Sequence, residues 1–235
     1  MTIAIGVNFG KYVLLAADSR TTNHDLSLNK VSFSDESEKI AKTKLGLITG
    51  AGNSAMLDAV KNRLSKEEVM HSNKILKIIH EEKSNLTNIL KLFNWEVFRP
   101  SIESTGWIFT YLTQQNKKIK LRLAIYHPSL GSNIGLYREN QPAVIYPYEA
   151  SKKEADSLGE VLTKFLKPIS KFKDMFKSIQ YHVSAIGSFI DIIKPKYPSI
   201  SSSCQFGIHA LEGVWISPII KPKTITKLSI TFESK

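Results

Sequence analysis

The order of strand-like and helix-like patterns is the feature that most limits how this chain can fold. Strand patterns come first, two helical stripes follow, strands return, two more helical stripes follow, and a hairpin pattern comes last. A mostly antiparallel sheet has to cover its apolar face. Two sheets packed face to face, each with a helix pair outside, would bury every such face. The sequence therefore predicts an α+β fold, a four-layer αββα sandwich of two mostly antiparallel sheets.

The clearest of these patterns is a hairpin in the first part of the chain. Apolar residues alternate from Thr2 to Phe9, which predicts a half-buried strand beginning at the second residue. Gly10-Lys11 supplies a turn, and a continuous apolar run from 12 to 17 ends at Asp18. Pairing of the two strands brings Asp18 back toward Thr2.

The remaining elements follow from periodicity and from Gly, Pro and Asn at the connections. The stretch from 19 to 38 is polar and is assigned no strand. The elements predicted after it are a strand at 45–49, helices at about 54–64 and 67–93, strands at 107–113, 119–126 and 134–137, helices at 158–166 and 172–190, and a hairpin of 205–211 and 214–219.

Length and composition predict one domain over residues 1–235. Hydrophobic residues make up 42% of the chain, enough for a substantial core. Cys204 is the single cysteine, which excludes an internal disulfide and a cysteine zinc cluster. No basic residue precedes Lys11 as a signal peptide requires, and no apolar run approaches the roughly 18 to 20 residues of a membrane span. We expect a cytoplasmic protein without a membrane partner.

The formal charge of +11 raises the question of a nucleic-acid partner. Lysines are spread along nearly the whole chain and no nucleic-acid-binding motif is present, so a solvated basic surface is the preferred interpretation. The histidines show no paired metal-ligand spacing and no acidic cluster accompanies them. We expect no metal, no cofactor and no nucleic acid.

Four segments resemble one known family, and they occur in that family's order. They are Thr2-Ile-Ala-Ile-Gly-Val, Leu14-Leu-Ala-Ala-Asp18-Ser-Arg20, Lys39-Ile40 and Gly50-Ala-Gly52-Asn-Ser-Ala55. They resemble proteasome β-subunits and their bacterial relatives, within the N-terminal nucleophile (Ntn) hydrolases. The strong match covers about residues 2 to 64. The resemblance implies the sandwich fold predicted above and an N-terminal threonine peptidase or amidohydrolase.

The resemblance makes Thr2 the nucleophile, exposed by removal of Met1. Threonine needs a base within hydrogen-bond reach, and a free α-amine on the same residue meets that need. An α-amine with a pKa of about 8 is partly unprotonated at neutral pH.

Asp18 ends an apolar strand, and a buried carboxylate needs a partner or a proton. The resemblance pairs it with a catalytic lysine, for which Lys39 is the candidate because it precedes Ile40 and an apolar strand. The family's usual spacing falls near Ser34, so the intervening loop carries about five additional residues. Lys30 is the alternative.

The glycine turn before the first predicted helix offers unpaired backbone N–H groups that favour negative charge. Such groups stabilise the oxyanion of a tetrahedral intermediate. The resemblance assigns that donor to Gly52, with Gly50 as the alternative. It places Arg20 and the Thr22 backbone in the substrate cleft, where a peptide would add as an extra strand.

Two supporting positions depart from the family pattern. Ser151 stands for the family's serine after the central strands, and one of 201–203, taken here as Ser202, stands for its last serine. No aspartate lies between Lys194 and Cys204. The surroundings predicted for the threonine amine are therefore altered.

The predicted reaction is hydrolysis of a peptide amide through an acyl-enzyme. Capture of the acyl group by an amine would instead give a peptide ligase or transpeptidase. A chain that keeps Met1 would be a non-catalytic assembly subunit. The resemblance further implies a peptide or protein substrate and self-assembly into a ring or other homo-oligomer, while any ATPase partner is left unassigned.

Overall fold

The computed structural model describes residues 2–25, 30–67, 72–92, 95–131, 133–147, 149–221 and 230–232. Within these residues the α-helices are α1 Ser54–Lys66, α2 Ser72–Leu90, α3 Trp95–Glu103, α4 Lys152–Phe165 and α5 Met175–Ile193. Its strands are β1 Ala4–Asn8, β2 Tyr12–Asp18, β3 Thr21–Asp25, β4 Lys30–Ser34, β5 Ala41–Lys42, β6 Leu47–Ala51, β7 Gly106–Gln115, β8 Lys118–Tyr126, β9 Gly135–Tyr137, β10 Pro142–Ile145, β11 Cys204–Ala210 and β12 Gly213–Ile216.

The strands of the described residues form three antiparallel sheets. The first has the order β10-β1-β2-β11-β12, and the second has the order β5-β6-β7-β8-β9. The third is the β3–β4 hairpin alone. The protein is thus a mixed α and β structure with antiparallel sheets, as the sequence predicted. Within the described ranges, no helix is both long and apolar enough to cross a membrane.

The β1–β2 hairpin lies in the middle of the first sheet and confirms the predicted hairpin, although β1 begins at Ala4 and is buried on both faces rather than half-buried. Both strands are fully buried, and Gly10 turns between them with a φ of +83° that favours glycine. Ala4 pairs with Ala17, and on the other side of β2 Cys204 pairs with Asp18. The start of β1, the end of β2 and the start of β11 therefore meet at one end of the sheet.

Three hydrophobic clusters bury the faces of the sheets. One packs β1, β2 and β11 against α5 and Leu162 of α4. A second joins the two five-stranded sheets through residues such as Leu15, Ile108 and Leu123. The third packs β6, β7 and β8 against α1, α2 and Ile102 of α3.

Some elements differ from the prediction. The stretch from 19 to 38, assigned no strand, contains the β3–β4 hairpin, whose Val31 and Phe33 are each 49% exposed and so give no buried apolar pattern. Helix α3 was missed because Pro100 in its interior is a residue that normally interrupts helices. Strand β10 was also missed. The helix predicted over 67–93 is observed as α2, and Phe93 lies outside the described residues.

Candidate active site

The carboxylate of Asp18 is the centre of the polar cluster where β1, β2 and β11 meet. It is fully buried. One oxygen, Oδ1, accepts a hydrogen bond from the backbone N–H of Ile3 at 2.8 Å. The other, Oδ2, accepts from the N–H groups of Arg20 and Ser201, each at 3.0 Å. Three segments distant in sequence are therefore joined through one side chain.

Burial raises the pKa of Asp18 to about 6, although three backbone hydrogen bonds and the charge of Lys39 act to lower it. Lys39 is 7% exposed, and burial lowers the pKa of its ammonium while the charge of Asp18 opposes that change. Each group thus favours the charged form of the other, as expected of an acid and a base sharing a buried site.

The main chain of Lys39 is held by a residue that sequence reasoning missed. Gln205 Oε1 accepts from the N–H groups of Lys39 and Ile40, both at 2.8 Å. Thr49 Oγ1 donates to the carbonyl of Lys39 at 3.1 Å. The Lys39 Nζ group donates to Thr21 Oγ1 at 2.9 Å. The lysine therefore reaches the start of β3, next to Asp18 along the chain.

Thr2 precedes β1 and is 3% exposed. Its Oγ1 donates to the carbonyl oxygen of Arg20 at 3.2 Å. Because Ile3, its neighbour, binds the Asp18 carboxylate, Thr2 lies at the same end of the sheet as Asp18. The predicted nucleophile and the predicted carboxylate are thus brought together.

Arg20 braces this region through its side chain. Its Nε and Nη2 atoms donate to the two carboxylate oxygens of Asp35 at 2.6 and 2.8 Å, and Nη1 donates to the carbonyl of Pro198 at 2.7 Å. The guanidinium lies over the ring of Phe33, 4.9 Å from its centroid. Arg20 thus ties the β3–β4 hairpin to the segment before β11, while its backbone carbonyl accepts from Thr2.

The glycine turn is shorter than the sequence suggested. Gly50 is a strand residue of β6 opposite Trp107, where an added Cβ would lie 2.5 Å from the carbonyl oxygen of Gly106. Gly52 makes the turn with a φ of +136°, and its Cβ would lie 2.5 Å from the Cα of Thr105. Asn53 then caps α1 through its side chain. Of the two glycines, Gly52 is the one at the helix N-terminus.

Thr22 lies in β3 opposite Phe33, and β3 has no second strand partner among the described residues. Lys30, the alternative lysine, begins β4 opposite Asp25, at the other end of the hairpin from Thr21.

Ser151 has a different role in the structure. It is exposed and caps α4 in a capping box with Glu154, and the Ser-x-x-Glu spacing is the sequence signal for that role. Its hydroxyl donates to Glu154 Oε2 at 2.7 Å. The hydrogen bonds of the described residues do not join it to Thr2.

The serines before β11 have different hydrogen-bond partners. Ser202, the one chosen from the sequence, accepts from Lys194 Nζ at 3.2 Å. Ser201 is fully buried, donates its N–H to Asp18, and lies 3.2 Å from the hydroxyl of Ser19. Of the three candidate serines, Ser201 is the one that contacts the Asp18 carboxylate, because the pairing of Cys204 with Asp18 brings it there.

Comparison with solved structures finds a similar fold in Anbu. An Anbu (Gly-1) mutant from Hyphomicrobium sp. strain MC1 matches with a TM-score of 0.56 and 14% identity, over 89% of this chain and 82% of that chain. Anbu from the same strain gives 0.52 and 14%, over 93% and 84%. Anbu (ancestral beta-subunit) from Yersinia bercovieri gives 0.54 and 13%, over 96% and 85%. These values show a distant, proteasome-like fold.

The family assignment made from the sequence motifs is wrong. No family model matches the chain, and no curated protein matches it either. The likeness to Anbu, at 13 to 14% identity, extends to the fold alone. The short motifs resembled proteasome β-subunits because the β1–β2 hairpin and the strand–glycine–helix turn are local features of such a fold.

Proposed function

We propose that the protein hydrolyses peptide amides with Thr2 as its nucleophile, after removal of Met1. The observation that carries this proposal is the buried Asp18 carboxylate, which binds the residue following Thr2 and interacts electrostatically with Lys39. A carboxylate with a raised pKa beside a buried cation is typical of catalytic sites.

The proposed reaction begins when Thr2 Oγ attacks the carbonyl carbon and its proton passes to the α-amine. The C–O bond forms, and the oxyanion is stabilised by the backbone N–H of Gly52 at the N-terminus of α1. The C–N bond then breaks and the leaving amine takes the proton. Water hydrolyses the resulting ester, and its proton returns to Thr2 through the same amine. Lys39 and Asp18 supply the electrostatic field.

Strand β3 supports a site for extended peptides. Among the described residues its strand partner is β4, so it is an edge strand, and an edge strand can accept an additional strand. Thr22 lies in β3, two residues from Arg20, whose carbonyl contacts Thr2. A peptide paired there would pass close to the nucleophile.

The fold likeness supports two further parts of the proposal. One hydrophobic cluster lies between the two five-stranded sheets, and one lies between each sheet and its helices. This arrangement fits a four-layer αββα sandwich formed by one domain. The Anbu from Yersinia bercovieri is described as an ancestral beta-subunit. We propose by analogy that this chain also forms a homo-oligomer.

A non-catalytic assembly subunit is the second candidate. It is favoured by the resting hydrogen bond of the Thr2 hydroxyl to the Arg20 carbonyl and by the contact of Lys39 Nζ with Thr21 rather than Thr2. A transpeptidase would use the same site and differ only in the acceptor of the acyl group.

Replacement of Thr2 tests the proposal. We expect the purified protein to start at Thr2 by intact-mass measurement and to cleave internally quenched peptides. Thr2→Ala should abolish cleavage, and the matched Thr2→Ser variant should retain part of it. Cleavage at an unchanged rate by Thr2→Ala, or a mass that retains Met1 in an inactive protein, would reject the hydrolase. Added amines that become joined to the product would identify the transpeptidase.

A further inference from the structure

A cleft of about 270 Å³ lies between the edge strands β9 and β10 and the segment that follows β8. Its apolar walls are Ile125, Leu130, Val144 and Ile145. The volume is just below the range of about 300–1,000 Å³ typical of pockets for whole small ligands. The cleft therefore suits a single side chain better than a complete cofactor.

The cleft is close to Thr2. Ile145 in its wall pairs with Ala4 of β1, two residues from Thr2 along the chain. Two residues of strand correspond to about 7 Å and one strand spacing to about 5 Å. Since an extended peptide advances by about 3.3 Å per residue, the cleft lies within reach of a side chain two to three residues from the reacting carbonyl.

The cleft wall is linked to the glycine turn through two intervening residues. A Cβ added to Gly106 would lie 2.8 Å from His127 Cδ2 and 3.0 Å from Ile145 Cδ1, so these two side chains meet over that glycine. Gly106 pairs with Ala51 and follows Thr105, which packs on Gly52. The side chains of the cleft wall are therefore connected by packing to the glycine that carries the proposed oxyanion donor.

The lining residues that the structure describes carry no formal charge at neutral pH. His127 Nδ1 accepts from the N–H of Ser129 at 3.2 Å, and burial lowers the pKa of the imidazole while a hydrogen bond to the Ser104 backbone opposes that change. The other polar lining groups are the Ser129 hydroxyl and two tyrosines, Tyr137 and Tyr146. A charged side chain would lose its hydration here without gaining an ionic partner.

We propose that this cleft is a specificity subsite that binds an uncharged aromatic or long aliphatic side chain of the substrate, two to three residues from the scissile amide. The proposal rests on the proposed function, since it assigns the substrate class of the same site. It makes Ser129, Leu130 and Val144 determinants of specificity rather than of the chemical step.

The test uses the full chain and a series of internally quenched peptides of small residues, each with one phenylalanine, lysine or alanine at a different position. We expect kcat/KM to be about tenfold higher for phenylalanine than for alanine at one position two or three residues from the cleaved bond. Lysine there should give no gain over alanine.

Variants then test whether the preference for phenylalanine arises in the cleft. Ser129→Trp, at an exposed lining position, should fill the cleft and reduce the ratio of kcat/KM for the phenylalanine peptide to kcat/KM for the alanine peptide to about twofold or less. Leu130→Ala should weaken the preference without abolishing cleavage. Ser65→Trp, on an exposed position at the C-terminal end of α1, is the matched control and should keep the full preference.

The two proposals fail in different ways. A preference that survives in Ser129→Trp, or an equal preference for lysine, overturns the subsite even if Thr2 is the nucleophile. If no peptide is cleaved, the proposed function fails. Binding of the same peptides to the intact protein, measured by fluorescence polarisation, then tests whether the subsite exists. The subsite would be supported if the native protein binds the phenylalanine peptide more tightly than the alanine peptide and Ser129→Trp does not. It would be overturned if the native protein and Ser129→Trp bind the phenylalanine peptide equally.

Discussion

Replacing Asp18 with asparagine should remove a pH dependence of stability that runs against the usual direction for an aspartate. Its pKa is raised from the ordinary 3.8 to about 6, chiefly by burial. Well below pH 3.8 the carboxyl group is protonated in both folded and unfolded protein. As the pH rises toward 6, the unfolded state releases the proton first, so the folded state becomes less stable.

The size of the effect follows from the shift. A difference of about two pKa units corresponds to roughly 3 kcal/mol, since one unit is about 1.4 kcal/mol. Most of this, roughly 2 to 3 kcal/mol, should be lost between pH 4 and pH 7. Asparagine cannot ionise, but its amide leaves at least one of the three backbone N–H groups without an acceptor, which costs about 1 to 3 kcal/mol at every pH.

Urea unfolding at pH 4, 5, 6 and 7, followed by tryptophan fluorescence, to which the buried Trp107 contributes, and by circular dichroism, measures this directly. The free energy of unfolding of the native protein minus that of Asp18→Asn should fall by roughly 2 to 3 kcal/mol from pH 4 to pH 7. Asp156→Asn, at an exposed position, controls for the change in net charge. A difference that stays constant with pH, or rises with it, would refute the assignment of Asp18 as a carboxylate destabilised by burial.

Three further predictions concern other residues. Lys39→Ala should raise the pKa of Asp18 further, moving the pH dependence of unfolding upward, and should lower peptide cleavage by roughly 10² or more, whereas the exposed control Lys44→Ala should change neither. Gly52→Ala, at a φ of +136° against Thr105, should destabilise the protein by about 2 kcal/mol or more in urea, and an unchanged midpoint would contradict the turn geometry. Burial lowers the pKa of His182 to about 4, so its contribution to stability should be lost as the pH falls from about 6.5 toward 4, and a Gln variant should lack that loss.

The part of the site that could be predicted is the part built from neighbouring residues. Alternation in β1 and the apolar run of β2 fix a hairpin, and a hairpin brings Thr2 and Asp18 together whatever the rest of the chain does. The strand, glycine and helix around Gly52 are equally local. The order of elements also predicted antiparallel sheets with helices, although not the exposed β3–β4 hairpin.

The contacts that could not be predicted join distant segments. Ser201 reaches Asp18 and Gln205 reaches Lys39 because β11 pairs with β2, and no local pattern specifies that register. The capping role of Ser151, by contrast, is local and is indicated by its spacing to Glu154.

The hydrogen bond from Thr2 Oγ1 to the Arg20 carbonyl would allow substrate binding to activate the nucleophile. In the proposed reaction this bond has to break before the oxygen can attack, at a cost of about 1 kcal/mol, or roughly a fivefold slower reaction. A peptide whose own N–H donates to the same carbonyl would displace the hydroxyl and recover that free energy. In the resting enzyme the Thr2 hydroxyl would then be held in a less reactive position by this hydrogen bond. The backbone of a correctly aligned substrate would release it.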